Sequence, residues 1–208
     1  GNGIDSTPGR IVIHYTANIR GDLNLLPRLH TYLRRLRDAR ADASQRILLD
    51  LGETCAPEVW HCAATGGRSV LIGLDGMGYT AAAGESLSPA DRAKLESHVS
   101  MALVFTGRPY VQGDLLFALH PTDGDGHLCV CLTPTRETRL ENRLLTLAPL
   151  ERGYIGEVVI EGGSGQYRLI SSAVYTLPAD TPPDATITGV VDFIVSEARY
   201  FQRRQGED

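Results

Sequence analysis

The 208-residue sequence predicts an α/β fold that passes into a β-rich C-terminal half, and three observations carry that prediction. In the first hundred or so residues, short β-branched or apolar runs alternate with segments whose leucines recur at helical spacing. Beyond Met101 strand-like runs follow one another, separated by turn sequences such as PTDGDG and GGSG. One long amphipathic segment then closes the chain. Hydrophobic residues make up 42% and charged residues 22%, a balance that lets the chain bury a substantial core. The expected organisation is a single domain over residues 11–203, with a flexible Gly-rich lead-in over 1–10 and a tail over 204–208.

Each element has its own signal. RIVIHY is a β-branched strand, and Leu25, Leu26, Leu29, Leu33 and Leu36 after it mark an amphipathic helix. RILLDL is continuous enough to be a strand buried on both faces, as in a parallel sheet. GETCAPEVWHCAATGG reads as loop from its Gly and Pro content, GRSVLIGLDGMG as a short helix closed by Gly78, and YTAAAG as a third strand. Ser88 caps a further helix, with Pro89 at its first position and Asp91 three residues after the cap. MALVF, DLLFALH, HLCVCLT, RLLTLAP, GEVVIEGG and YRLISSAVYTL are strands of an antiparallel or mixed arrangement. The last helix carries Val190, Ile194, Ala198 and Phe201 along one face and ends in basic residues that suit its dipole. The strands beginning at Ile11, Ile47 and Tyr79 should lie parallel in one sheet, with the later strands forming a mixed or second sheet packed face to face with it.

Composition also narrows the function. Lys and Arg number 20 against 25 Asp and Glu, a net charge of -5, and no cationic stripe is present, so nucleic acid is not an expected partner. RLHTYLRRLRDAR is locally basic, but its arginines alternate with apolar residues at helical spacing, as on a solvated helix face. No apolar run approaches the roughly 18 residues of a membrane span, and the N-terminus lacks a signal-peptide layout. The chain is expected to be soluble. It opens on Gly, which leaves room for a removed upstream signal, anchor or domain, so both a cytoplasmic location and export with signal removal stay open. Cys129 and Cys131 share one strand face and should be small core hydrophobes, and Cys55 and Cys62 form a loop disulfide if the protein is exported. GES at Gly84–Ser86 lacks the second Gly of a nucleophile elbow, GGSG at Gly162–Gly165 lacks the Lys and helix of a P-loop, and PTDGDGH lacks EF-hand spacing.

Three segments carry a family resemblance. YTANIRGDL, LLDLGETC and MGYTAAAGESL stand in the order and at intervals similar to the T-N-D-x-H-G, L-D-x-G-D and GYDA...GNHE motifs of the calcineurin-like metallophosphoesterase superfamily, in its bacterial 5'-nucleotidase-like branch. RGYIGEVVIEGGSGQYRLISSAVYTLPADTPPDATITGVVDF resembles the closing hairpin and helix of that branch. The resemblance covers Ile11 to Leu87 and Leu144 to Val195, and it implies a layered α/β/β/α sandwich, here truncated.

In that family the motif residues hold two divalent metals that activate water for attack on phosphorus. Here the first Asp corresponds to Asn18, the first His to Arg20, the second-motif Asp to Glu53, and the Asn and His of the third motif to Glu85 and Ser86. Arg20 has no lone pair to donate and puts a fixed positive charge where a dication would sit. His98, His120 and His127 fall in the region of the family's later histidines, and none stands in a G-H-x-H pattern. The resemblance therefore implies a catalytically degenerate protein, a non-enzymatic binding or assembly domain with no catalytic residue, metal or other cofactor. Asn18, Arg20, Glu53, Glu85 and Ser86 form its vestigial site and should lie together, with Arg20 paired to one or both carboxylates.

Arg20 and Arg68, with the turn amides, are candidates for holding a small anionic ligand, and Asp22 and His61 join them as ligand-site candidates. A protein partner is the other expectation. The alternative function is a divergent metal-dependent phosphoesterase or 5'-nucleotidase with a single divalent metal, gathered from Asp22, Asp50, Glu53, His61 and Glu85 at the strand ends. Structural roles for three of these are Asp22 as a helix cap, Asp50 as a strand-end residue and His61 beside Trp60 in a packed loop.

Overall fold

A strand buried on both faces and paired on both edges organises the molecule. In the computed structural model, which describes residues 9–206, β1 (Gly9–Thr16) pairs parallel with β2 (Gln45–Asp50) and antiparallel with β10 (Tyr154–Gly163). Between them in the chain run α1 (Leu26–Asp38), α2 (Trp60–Ala64), α3 (Ser69–Gly76), β3 (Ala81–Ala83), α4 (Pro89–Glu96), β4 (Ala102–Val104), β5 (Tyr110–Gln112), β6 (Leu115–Ala118), β7 (Leu128–Cys131), β8 (Arg139–Glu141) and β9 (Leu144–Thr146). After β10 come β11 (Gln166–Thr176) and α5 (Ala185–Gln205). A six-stranded sheet has the order β11-β10-β1-β2-β3-β4, and a five-stranded sheet the order β5-β6-β7-β9-β8. β1, β2, β3 and β4 are parallel neighbours, so their C-terminal ends lie on one edge. The second sheet is mixed, with β6, β7 and β9 parallel and β5 and β8 antiparallel on its margins.

Alternation along each strand sorts the side chains into two main cores. Ile11, Ile13 and Tyr15 of β1 face the second sheet and pack with Phe117, Val130 and Leu145. On the opposite face of the first sheet, Leu48, Ala82 and Leu103 meet Leu29 of α1, Leu71 of α3 and Ile194 of α5. All five helices send their buried apolar residues into this second core. The outer face of the second sheet carries only a small cluster of Leu116, Ala118 and Cys129, with no helix over it among the described residues. The architecture is thus α/β/β, the layered sandwich shortened by its fourth layer. Cys129 and Cys131 are buried and free, as small hydrophobes.

Several boundaries differ from the sequence reading. Residues 1–8 of the expected lead-in, and 207 and 208 of the tail, lie outside the described residues, but Gly9 and Arg10 belong to β1. They pair with Gly162 and Glu161 because β10 is long enough to extend the ladder. α5 likewise runs to Gln205, past residue 203. The segment expected to be loop contains α2, whose five residues are too few to show helical periodicity. β5 and β8 were not expected, since each is a three-residue edge strand with little apolar content. Ser88 accepts a bond from the Asp91 N–H, as the capping pattern predicts.

Gly156 shows how tightly the two sheets close on β1. It sits opposite Tyr15, and a Cβ built at 156 would overlap the tyrosine ring. The Tyr15 hydroxyl, passing beneath, donates to the Ala148 carbonyl at 3.0 Å. Gly156→Ala should cost about 1 to 3 kcal/mol by overpacking, measured by urea denaturation. That cost should largely vanish in a Tyr15→Ala background, a coupling that a backbone effect of the alanine would not produce.

Candidate functional site

The parallel strands bring their C-terminal turns to one edge, and the backbone there is unusual. Asn18, Arg20 and Glu53 adopt the left-handed region, with φ of 58°, 51° and 53°, alongside Gly21 and Gly52. The two turns are laced together: Asn18 N–H donates to Gly52 O at 3.0 Å, Arg20 N–H to Glu53 O at 2.9 Å, and Gly21 N–H to Thr54 O at 2.7 Å. These bonds continue the β1–β2 pairing past the strand ends and offset the cost of the strained residues.

Beneath the turns lies Asp50, fully buried. Its Oδ1 accepts the Gly52 N–H at 2.9 Å and its Oδ2 accepts the Thr16 hydroxyl at 2.8 Å. The Tyr79 hydroxyl lies 2.7 Å from Thr16 Oγ1 and completes the chain. Burial pushes the Asp50 carboxyl up to about 7, against the downward pull of the Gly52 and Thr16 bonds.

The five expected vestigial residues come together, four in one cleft and Arg20 paired to one of those four. Asn18, Glu53, Glu85 and Ser86 line a cleft of about 520 Å³ at the strand edge, together with Leu119, His120 and Thr133 from the second sheet. Arg20 is not among the lining residues but stands beside them, paired as expected with Glu53 at 3.3 Å and also facing Glu58 at 3.8 Å, both exposed carboxylates. Glu85 takes different partners, accepting the Thr106 N–H at 2.8 Å and facing Arg92 at 4.0 Å. Asn18 donates its side-chain amide to Leu150 O at 2.7 Å, tying the turn to the segment before β10. His120 was not among the expected site residues. Its signal is that it lies just past the end of β6, one residue after Leu119, although it stands in no G-H-x-H pattern. His127 bonds to Gly124 O at 2.8 Å in a turn, as its DGDG context implies.

The other ligand-site candidates are placed elsewhere. Asp22 stands at the N-cap of a short 3-10 turn over Leu23–Leu25 but makes no side-chain capping bond, and its carboxylate faces Arg152 at 3.7 Å. Arg68 is bound to Asp91 at 2.9 Å, stacks over Phe201 and lines a separate cleft of about 430 Å³ between α3, α4 and α5. The N–H groups of Asn18, Arg20, Gly21 and Gly52 are spent inside the turns.

His61 holds the site's far side. A carbonyl can only accept, so His61 Nε2 donates to Gly21 O at 2.9 Å, and Nδ1 accepts from the Ser69 hydroxyl at 2.7 Å. Burial lowers its pKa below the ordinary value and keeps it neutral in this tautomer. Cys55 and Cys62 form a disulfide, with Cα atoms 5.7 Å apart, closing the question the sequence left open.

The donors do not fit the metal sets considered. The guanidinium of Arg20 offers no lone pair to a two-metal centre. Of the five donors of the single-metal alternative, Asp50 lies under the turns, both nitrogens of His61 are engaged, and Asp22 faces Arg152, leaving Glu53 and Glu85 at the cleft. Among the described residues no three His, Cys, Asp or Glu side chains are grouped to hold a metal ion.

No family model matches the chain, and no curated protein matches it. Solved structures do. The chain is similar to the calcineurin-like phosphoesterase YfkN from Bacillus subtilis, with a TM-score of 0.57 at 9% identity, covering 94% of this chain and 99% of that one. It is also similar to the Haemophilus influenzae NAD nucleotidase NadN, with a TM-score of 0.64 at 7% identity, covering 93% of this chain and 61% of that one. The chain thus spans under two thirds of the NadN structure. The likeness is one of fold, the metallophosphoesterase-like sandwich that the three motifs resemble.

Two substitutions test this description. Asp50 has a folded-state pKa of about 7 against roughly 3.9 unfolded, so its protonated form stabilises the fold fully below about pH 4, and that stabilisation is lost as pH rises toward 7. Asp50→Asn should gain stability relative to the parent across that window, at up to about 1.4 kcal/mol per pH unit, and level off above it, read by denaturant titration at several pH values. Arg20→Ala should cost under about 1 kcal/mol, because Arg20 and Glu53 are 41% and 68% exposed.

Proposed function

We propose that the chain is a non-enzymatic binding domain on a metallophosphoesterase-like fold, with the strand-edge cleft as a ligand site without turnover. The carrying observation is the pair of Arg20 with Glu53. At the positions where the resembling motifs place an imidazole and a bridging carboxylate, a permanent cation is set against the carboxylate. A divalent ion at Glu53 would have to displace Arg20 and then sit beside it, at a Coulombic penalty that water only partly screens.

The lining also speaks to the ligand. Glu53, Glu85, Asn18, Ser86, His120 and Thr133 present carboxylates, an amide, hydroxyls and an imidazole, and no lysine or arginine lines the cleft. A neutral or basic polar molecule suits it better than a phosphate. The NAD nucleotidase among the structural neighbours acts on a nucleotide by its name, which makes adenosine and AMP a natural probe pair. Adenosine should shift the NMR signals of Ser86 and His120 at lower concentration than AMP does; tighter binding of AMP would overturn the charge argument.

A second reading, a divergent metal-dependent phosphoesterase, is favoured by one observation: Glu53, Glu85 and His120 line the same cleft. Elemental analysis separates the two. The purified protein should carry no stoichiometric Mn, Fe, Zn or Ni and should hydrolyse phosphoesters no faster than a denatured control. Asn18→Asp with Arg20→His should remain inactive with added Mn, because the third motif still lacks its Asn and His. Bound metal with phosphoesterase activity in the parent protein would establish the second reading. As to location, no helix among the described residues is long and apolar enough to cross a membrane, and the Cys55–Cys62 bridge suits an oxidising compartment.

A further inference from the structure

β11 is the long free margin of the first sheet. The other strands at sheet margins, β4, β5 and β8, have three residues each, whereas β11 has 11, and among the described residues only β10 pairs with it. Natural proteins blunt such edges with charge, proline or a bulge. One half of β11 is blunted: the register shifts between Val159 and Ile160, leaving Ile170 opposite no partner as a bulge, and Arg168 stands just before it. The other half is bare. From Leu169 to Leu177 the sequence LISSAVYTL holds no charge and no proline, and Ser171, Ser172, Val174 and Thr176 are exposed, Val174 by 55%.

The hairpin fixes which backbone groups face outward. Leu177 N–H donates to Gly153 O at 3.1 Å, so these two residues form a bonded pair, and bonded and non-bonded pairs alternate from there along β10. Tyr175, Ala173 and Ser171 therefore spend their N–H and C=O groups on Ile155, Glu157 and Val159, while Thr176, Val174 and Ser172 aim theirs at the open edge. A second copy of the same strand satisfies all three when a two-fold axis passes through Val174. Ser172 then faces Thr176 of the other copy, Val174 faces Val174, and each pair exchanges both of its bonds. An axis at Ala173 sets Thr176 against the bulged Ile170, and one at Tyr175 sets Ser172 against Pro178, which has no N–H and whose carbonyl is held by Arg28 at 2.8 Å.

The side chains suit the same axis. Two β-branched valines meet at its centre, hydroxyls meet at Ser172 and Thr176, and the small Ala173 lies opposite Tyr175. The first charges beyond the ladder are Arg168 on one side and Asp180 on the other, equally far from Val174 and both exposed. Antiparallel pairing brings the arginine end of one copy toward the aspartate end of the other. Backbone, side chains and charge are thus complementary to themselves, which favours a second copy over an unrelated strand.

We propose that β11 is the interface of a two-fold dimer of this chain, in which the two six-stranded sheets join edge to edge about Val174. The ladder runs only from Ser172 to Thr176, a short contact beside the roughly 1,200 Å² of a stable complex, so the dimer is weak and concentration-dependent. It is independent of the function proposed above.

In sedimentation equilibrium the full chain should pass from monomer toward dimer as its concentration rises to on the order of 1 mM. Over the same range, amide exchange followed by NMR should slow at Ser172, Val174 and Thr176 and stay constant at Ser171, Ala173 and Tyr175. Val174→Lys and Val174→Asp each set like charges on the axis and should weaken association at least about tenfold. Mixing the two variants should restore it as a heterodimer, which a misfolded variant could not do. A monomer at every concentration, a dimer indifferent to Val174→Lys, equal slowing of both sets of amides, or no recovery on mixing would each overturn the proposal.

Discussion

Because β1 is packed on both faces and paired on both edges, the polar side chains it buries, His14 and Thr16, are met by partners inside the protein, and the site is built from that requirement. His14 is fully buried and bonds Glu157, its cross-strand neighbour, at 2.9 Å. Glu157 is also held by Arg40 at 2.7 Å. Burial alone would raise the glutamate's pKa, and the bonds from Arg40 and His14 outweigh it and bring the pKa below the ordinary range. Burial moves His14 in the neutral direction even against Glu157, which suits a ring whose Nδ1 has no partner, since an unpaired lone pair costs less there than an unpaired N–H. Two residues further on, Thr16 meets Asp50 and Tyr79, and this second polar group sets the geometry of the turns above it.

The distinction between what holds the turns and what decorates them follows from magnitudes. Arg20 and its two glutamates are exposed, and such pairs are worth at most about 1 kcal/mol. The left-handed conformations at Asn18, Arg20 and Glu53 each cost of order 1 kcal/mol or more, so the ion pair cannot be what maintains them. That role belongs to the lacing bonds, to Asp50 from below and to His61 from the side. The backbone of the edge is consequently independent of the charges hung on it, and side chains at 18, 20 and 53 can change without the turns collapsing.

This separation explains how far the sequence was legible. Strands such as RIVIHY and RILLDL and the leucine pattern of α1 are read easily, because burial on fixed faces imposes their spacing. Asn18, Glu53, Glu85 and Ser86 could be placed at one edge because parallel strands must bring their ends together. The pairing of Arg20 with Glu53 could be read from the motif positions, but its second carboxylate, Glu58, and the Asp91 that holds Arg68 could not, since no spacing rule singles them out. His61 had both a ligand and a packed-loop reading, and its bond to Gly21, 40 residues away in the chain, is one that no spacing rule points to. His120 was passed over for want of a motif, although its position at the end of β6 was sufficient reason to include it.

The one-sided helical layer has a mechanical consequence. Five helices brace the outer face of the first sheet, while the outer face of the second has a small apolar cluster and no helix among the described residues. Local opening draws on the least buttressed part of a protein, so slow-exchanging amides should concentrate in β1, β2 and β10, and protection should thin toward β5 and β8. The strand-edge cleft straddles that gradient. Its Asn18 and Glu53 wall is anchored in the stiff sheet, and its His120 and Thr133 wall belongs to the compliant one. Any change in the width of the cleft will therefore come from one wall only, with the other acting as a fixed reference.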